Sequence, residues 1–122
     1  MSTPVGPYAP IVRAGSWLIC SGQLGLAPGA DGSPGLVGGG PGPQLARAVA
    51  NAADLLASEG ASLPDVVKTT VFATDPADFA VINEAYVAAF GGHRPARSMV
   101  AVSALPMGAA VEIEVWAHRD PR

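Results

Sequence analysis

Apolar positions along this chain change their period several times, and each change marks an element. Ile11-Val12-Arg13 and Trp17-Leu18-Ile19-Cys20-Ser21 are short apolar runs separated by Ala14-Gly15-Ser16. They predict a β-hairpin with a glycine-containing turn. Residues 27–43 hold many glycines and prolines without periodicity, which predicts a loop. Pro43 suits the first turn of a helix, and Leu45, Ala48, Val49, Ala52 and Leu56 then recur at helical spacing until Gly60. Asp65 to Thr74 is apolar and β-branched and predicts a strand. Asp75 is placed to cap a second helix, with Pro76 at its first position and Asp78 in its first turn. Phe79, Ile82, Tyr86 and Phe90 form that helix's apolar stripe, and Gly91-Gly92 ends it. Ser98 to Val102 predicts a further strand, and Leu105-Pro106-Met107-Gly108 a turn. From Ala110 to His118 the chain alternates. Val111, Ile113, Val115 and Ala117 share one face, and Glu112, Glu114, Trp116 and His118 share the other.

The predicted order is ββαβαββ, an α+β layered domain spanning residues 1–122. Two helices cannot wrap both faces of a sheet of five or six strands, so they are expected on one face. The other face also carries apolar residues and is expected to bury itself against another copy of the chain.

Composition sharpens this expectation. Only 14% of residues are charged, against about 25% in an ordinary soluble domain. Hydrophobic residues make up 49% but aromatic ones only 6%, so little polar surface is available for solvation. The net charge is −3 and the only lysine is Lys68. No basic stripe of the kind a nucleic-acid groove needs is present. The single Cys20 rules out an internal disulfide. No apolar run approaches the length of a membrane span, and the first residues do not read as a signal peptide. The expectation is a cytoplasmic protein.

Candidate chemistry begins at His93-Arg94-Pro95-Ala96-Arg97-Ser98. An arginine beside a proline at the mouth of a strand offers a rigid donor fork suited to a carboxylate or phosphate; the alternative is a solvated surface arginine. Asn83 lies on the predicted apolar face of the second helix, where its amide either braces a loop or faces a site. Glu112, if it faces a contact between sheets or subunits, has its proton affinity raised or is paired with a cation. Glu114 reads as a solvated strand residue. Gly22, within Ser21-Gly22-Gln23, allows a ligand or another backbone to approach closely. Gly6-Pro7-Tyr8 places a phenol before the first strand, either at a site or as edge packing. His93 and His118 lack metal-ligand spacing, and Cys20 reads as core. Neither a metal nor a cofactor is expected.

Taken in order, Gly6-Pro7-Tyr8, Ser21-Gly22-Gln23, residues 65–71, Asp78-Phe79 through Tyr86, Arg94-Pro95-Ala96-Arg97-Ser98 and Glu112-Ile113-Glu114 resemble the RidA (reactive intermediate deaminase, YjgF-like) family. The resemblance covers residues 6–117. It implies a chorismate-mutase-like homotrimer, with sheets inside, helices outside and three clefts between subunits. It implies hydrolysis of enamines and imines such as 2-aminoacrylate and 2-iminopropionate to a 2-keto acid and ammonia.

Tyr8, Ser21, Asn83, Arg97 and Glu112 match the positions that line the family's cleft. On this reading Arg97 grips the substrate carboxylate, Glu112 exchanges protons, Tyr8 and Ser21 donate or relay hydrogen bonds, and Asn83 orients the site. Two departures stand out. Met99 occupies a position that is often cysteine in the family, leaving only the backbone carbonyl to help hold the water. Ala9-Pro10 follows Tyr8 in place of the usual Ser-Gln. The competing readings are a sensor that binds small carboxylates without turnover, a pathway deaminase for a larger aminomuconate-like imine, and a ribonuclease. The acidic charge argues against the last.

Overall fold

The computed structural model describes residues 6–121. Its sheet contains β1 (Ile11–Ala14), β2 (Trp17–Cys20), β3 (Gln23–Leu24), β6 (Val66–Ala73), β7 (Ala96–Ala101) and β8 (Val111–His118). The strand order is β1-β2-β8-β6-β7, with β3 also paired to β8. All pairs are antiparallel except β6 with β7, and helix α2 (Phe79–Phe90), which lies between these two in sequence, makes the crossover that parallel strands require. Helix α1 (Pro41–Ala57) packs beside α2, and α1 also contacts β2, β3 and β8. The elements match the predicted ββαβαββ order, to which the short β3 and a separate hairpin are added.

Local chemistry explains the boundaries. β1 and β2 are joined by two residues, and Gly15 takes φ +61° at the first central position, which a side chain disfavours. The Asp75 side chain accepts the Ala77 N–H at 2.9 Å, as its capping position predicted. A 3-10 turn over Pro76–Asp78 then leads into α2. Between Ile19↔Trp116 and Gln23↔Ile113, three residues (Cys20, Ser21, Gly22) face two (Glu114, Val115). This one-residue excess is a β-bulge, so β2 and β3 form one strand with a break at Ser21-Gly22.

Two predicted boundaries are corrected. Residues 27–43 are not simply a loop: β4 (Leu26–Pro28) pairs with β5 (Pro34–Leu36), and α1 starts at Pro41. Three residues per strand are too few to show alternation in sequence. The predicted Ser98–Val102 strand begins at Ala96, which places Arg97 inside β7.

The core lies between the sheet and the helices. Leu18, Val71, Ile113 and Val115 meet Leu45, Ala52, Leu56, Ile82 and Tyr86 there. Cys20 belongs to this core, and burial pushes its thiol up to about 12. The opposite face has no covering layer. Val12, Trp17, Val100 and Trp116 are exposed on it, with Ile19 and Phe72 half-buried beside them. None of the helices is long and apolar enough to cross a membrane among the described residues.

Candidate active site

The expected site residues fall into two groups on opposite faces of the sheet. The first lies around the bulge. Glu112 pairs with Leu24 of β3 and with Phe72 of β6, so its carboxylate stands on the open face. There it is half-buried, and its carboxyl is held above the ordinary carboxylate range. Desolvation is the main cause and the neighbouring Glu114 charge adds to it. A Cβ on Gly22 would collide with the Glu112 carboxyl group as it stands, so a side chain there would have to push the carboxyl aside. The Ser21 hydroxyl donates to the Ala9 carbonyl at 2.6 Å, tying the segment before β1 to the bulge. Tyr8, next in that segment, is exposed. Tyr8, Ser21 and Glu112 thus belong to one end of the open side.

The second group lies at the sheet's β7 edge. Arg97 is in register with Thr69, and Met99 with Val71, both of which point towards the helices. The Arg97 guanidinium sits 4.8 Å from the centre of the Tyr86 ring, a cation–π contact. Tyr86 is fixed in turn by a 2.8 Å hydrogen bond between its hydroxyl and that of Thr69. Met99 packs against the core, so any contact it makes at the site falls to its backbone.

Asn83 requires a correction. The stripe of α2 is centred on Ile82 and Tyr86, and Asn83, about 100° round from Ile82, falls on the exposed flank. It is not a buried amide within this chain.

The arginines differ in how they are engaged. Arg13 bonds Glu59 and the carbonyls of Gly15 and Arg119. Arg47 donates to Leu26, and Arg94 to the carbonyls of Gly91 and His93 at the end of α2. Arg119 faces Asp65 at 3.6 Å. Among the described residues Arg97 makes no hydrogen bond or ion pair, and its donor fork is left for something else. The two histidines serve other contacts: His93 is hydrogen-bonded to the Val66 carbonyl, and His118 stands edge-on to Trp17.

Sequence reasoning singled out Ser21, Gly22 and Glu112 but missed the bulge and its close fit to Glu112. Gly22 was the only signal for it, and the register that creates the bulge is set by pairing with β8, far along the chain.

The family model described as Endoribonuclease L-PSP matches residues 1–119. The chain is 40% identical to a mouse 2-iminobutanoate/2-iminopropanoate deaminase over 117 residues, covering 96% of this chain and 84% of that protein. The crystal structure of RidA from an Antarctic Psychrobacter superposes with a TM-score of 0.86 at 40% identity, over 95% of this chain and 91% of that one. Escherichia coli TdcF with bound serine superposes with a TM-score of 0.84 at 34% identity, over 96% and 91%. The chain belongs to the L-PSP/RidA family and has its chorismate-mutase-like α+β fold.

Proposed function

We propose that this protein is a deaminase that hydrolyses small 2-imino acids, and their enamine tautomers, to 2-keto acids and ammonia. The observation that carries the reading is the unengaged fork of Arg97, set against a desolvated Glu112 on the other face of the same sheet. A carboxylate-bearing substrate suits the first and proton transfer suits the second. The names of the deaminase relatives support the same chemistry. The family description names an endoribonuclease, but a net charge of −3 without a lysine/arginine cluster offers a polyanion no basic stripe.

Arg97 and Glu112 cannot face one cavity within a single chain, so the working unit is a homotrimer whose clefts join the arginine edge of one copy to the Glu112 end of another. The uncovered apolar face supports this assembly. In the cleft, Arg97 holds the substrate carboxylate. Water adds to the iminium carbon while Glu112 accepts a proton from it, giving a carbinolamine. Glu112 returns the proton to nitrogen, the C–N bond breaks with its electron pair leaving on ammonia, and the hydroxyl proton passes back to the Glu112 carboxylate as the C=O bond forms. Ser21, Tyr8 and the Met99 carbonyl hold the water, and Asn83 orients the site. A reduced, buried Cys20 suits the cytoplasm.

The test is ammonia release from 2-iminopropionate or 2-iminobutyrate generated in situ, with Arg97→Ala and Arg97→Lys alongside. Wild type accelerates release. Both variants lose about 2–5 kcal/mol of carboxylate binding, because lysine keeps the charge but not the fork. Keto-acid binding without any acceleration by wild type would instead make the protein a sensor. Arg97→Lys matching wild type in binding and rate would return Arg97 to the surface residues.

A further inference from the structure

The face of α1 turned to the core is lined by Leu45, Ala48, Val49, Ala52 and Leu56, yet it also buries Gln44 and Asn51. Buried polar groups are costly unless they are bonded, and these are bonded to the backbone around Glu112: the β3–β4 segment beside it and the start of its own strand. The Asn51 amide donates to the Leu24 carbonyl at 3.2 Å and to the Leu26 carbonyl at 2.9 Å. It therefore spans the bend where β3 ends and β4 begins. Gly25, between those carbonyls, lies so close to α1 that a Cβ there would come within 2.6 Å of the Gln44 carbonyl oxygen. The Gln44 side chain accepts the Ala110 N–H at 2.9 Å, two residues before Glu112.

β3 is only two residues long, and one of them, Leu24, is the residue paired with Glu112. Two ladder positions hold a strand weakly, so its position depends on what grips its far end. Asn51 is that grip, and beyond β3 lies Gly22 against the Glu112 carboxyl group.

We propose that Asn51 is a positioning residue for Glu112: by bridging the Leu24 and Leu26 carbonyls it holds β3 and Gly22 closed over the carboxylate. It touches no substrate and acts through the strand. The proposal rests on the reading of Glu112 as the proton-transfer group. Its consequence for the carboxyl itself can be measured without turnover.

The experiment titrates the Glu112 carboxyl by carbon-13 NMR in the assembled protein, for wild type and Asn51→Leu, and measures kcat and KM on 2-iminopropionate. Leucine keeps the packing volume and loses both donors. In Asn51→Leu the Glu112 titration moves down towards an ordinary glutamate as water reaches it. The acid limb of the rate profile moves the same way. A displacement at this distance lowers kcat about tenfold or more, while KM and keto-acid affinity, which depend on Arg97, stay within about twofold. Asn51→Ser, a smaller change that loses the bridge to both carbonyls, gives the same pattern and carries the test if Asn51→Leu does not fold. A folded variant with lower thermal stability but unchanged Glu112 titration and kcat would make Asn51 merely structural and overturn the proposal. If wild type shows no turnover, the functional reading fails, and the titration alone still decides whether Asn51 sets the environment of Glu112.

Discussion

The two faces of the sheet are built from the same strands and finished differently. On one face Leu18, Val71 and Ile113 are fully buried beneath the chain's own helices. On the other, Trp17 and Trp116 remain 41% and 39% exposed, and Val12 half exposed. The chain completes its first face alone, and in the proposed assembly another copy covers the second. Glu112 stands on the unfinished face, whereas Arg97 points to the finished side at an open edge. The buried core lies where the chain is self-sufficient, and the proposed proton-transfer group lies where it is not.

The largest effect should come from spoiling the unfinished face. Trp116→Glu puts a carboxylate beside Glu114 on a surface that must desolvate in the assembly. Light scattering should then report a monomer at micromolar concentration, and turnover should disappear, while the isolated fold persists because the site is exposed. A Trp116→Glu protein that keeps the mass of wild type would break the comparison between the faces.

Glu112→Gln tests what the unfinished face holds. The change should lower imine hydrolysis by about 10²–10⁴-fold and leave keto-acid binding intact. It should act on stability in the opposite direction. The carboxyl is raised in the folded state, so its ionised form opposes folding at pH above the folded value. That opposition fades as pH falls through the raised value towards the ordinary one. Glu112→Gln should therefore melt at a higher temperature than wild type at pH 8, and the gain should vanish by about pH 4. A melting temperature that is lower at pH 8 would mean that the carboxylate is paired in solution.

The smallest effect concerns the bulge. Gly22→Ala meets no positive-φ restriction, so its cost comes from the collision with Glu112 alone. Overpacking of this kind costs about 1–3 kcal/mol, and here it should appear as a lower kcat with Arg97-dependent binding unchanged. Wild-type kinetics in Gly22→Ala would show that the bulge does not confine the carboxylate.

Much of this arrangement was legible in sequence. Alternation within β8 placed Glu112 and Glu114 on the face opposite Val111 and Ile113, because a strand's parity is a local property. Asp75-Pro76 marked the start of a helix for an equally local reason. What sequence did not show was relational. That Arg97 and Glu112 oppose each other follows from the registers of β7 and β8 on β6, and parity cannot be compared between strands before they are paired. The exposure of Asn83 likewise follows from how α2 rolls on the sheet, not from its spacing to Phe79 and Tyr86. The hairpin of β4 and β5 was hidden by glycines and prolines that carry no alternation.

Cys20 gives the molecule a built-in clock. Its thiol is sealed in the core and too weakly acidic to react near neutral pH, so a thiol reagent can label it only when β2 lifts away from the helices. Being the only cysteine, and the residue next to Ser21, it reports how often this strand opens, from the kinetics of one chemical event and without any added probe.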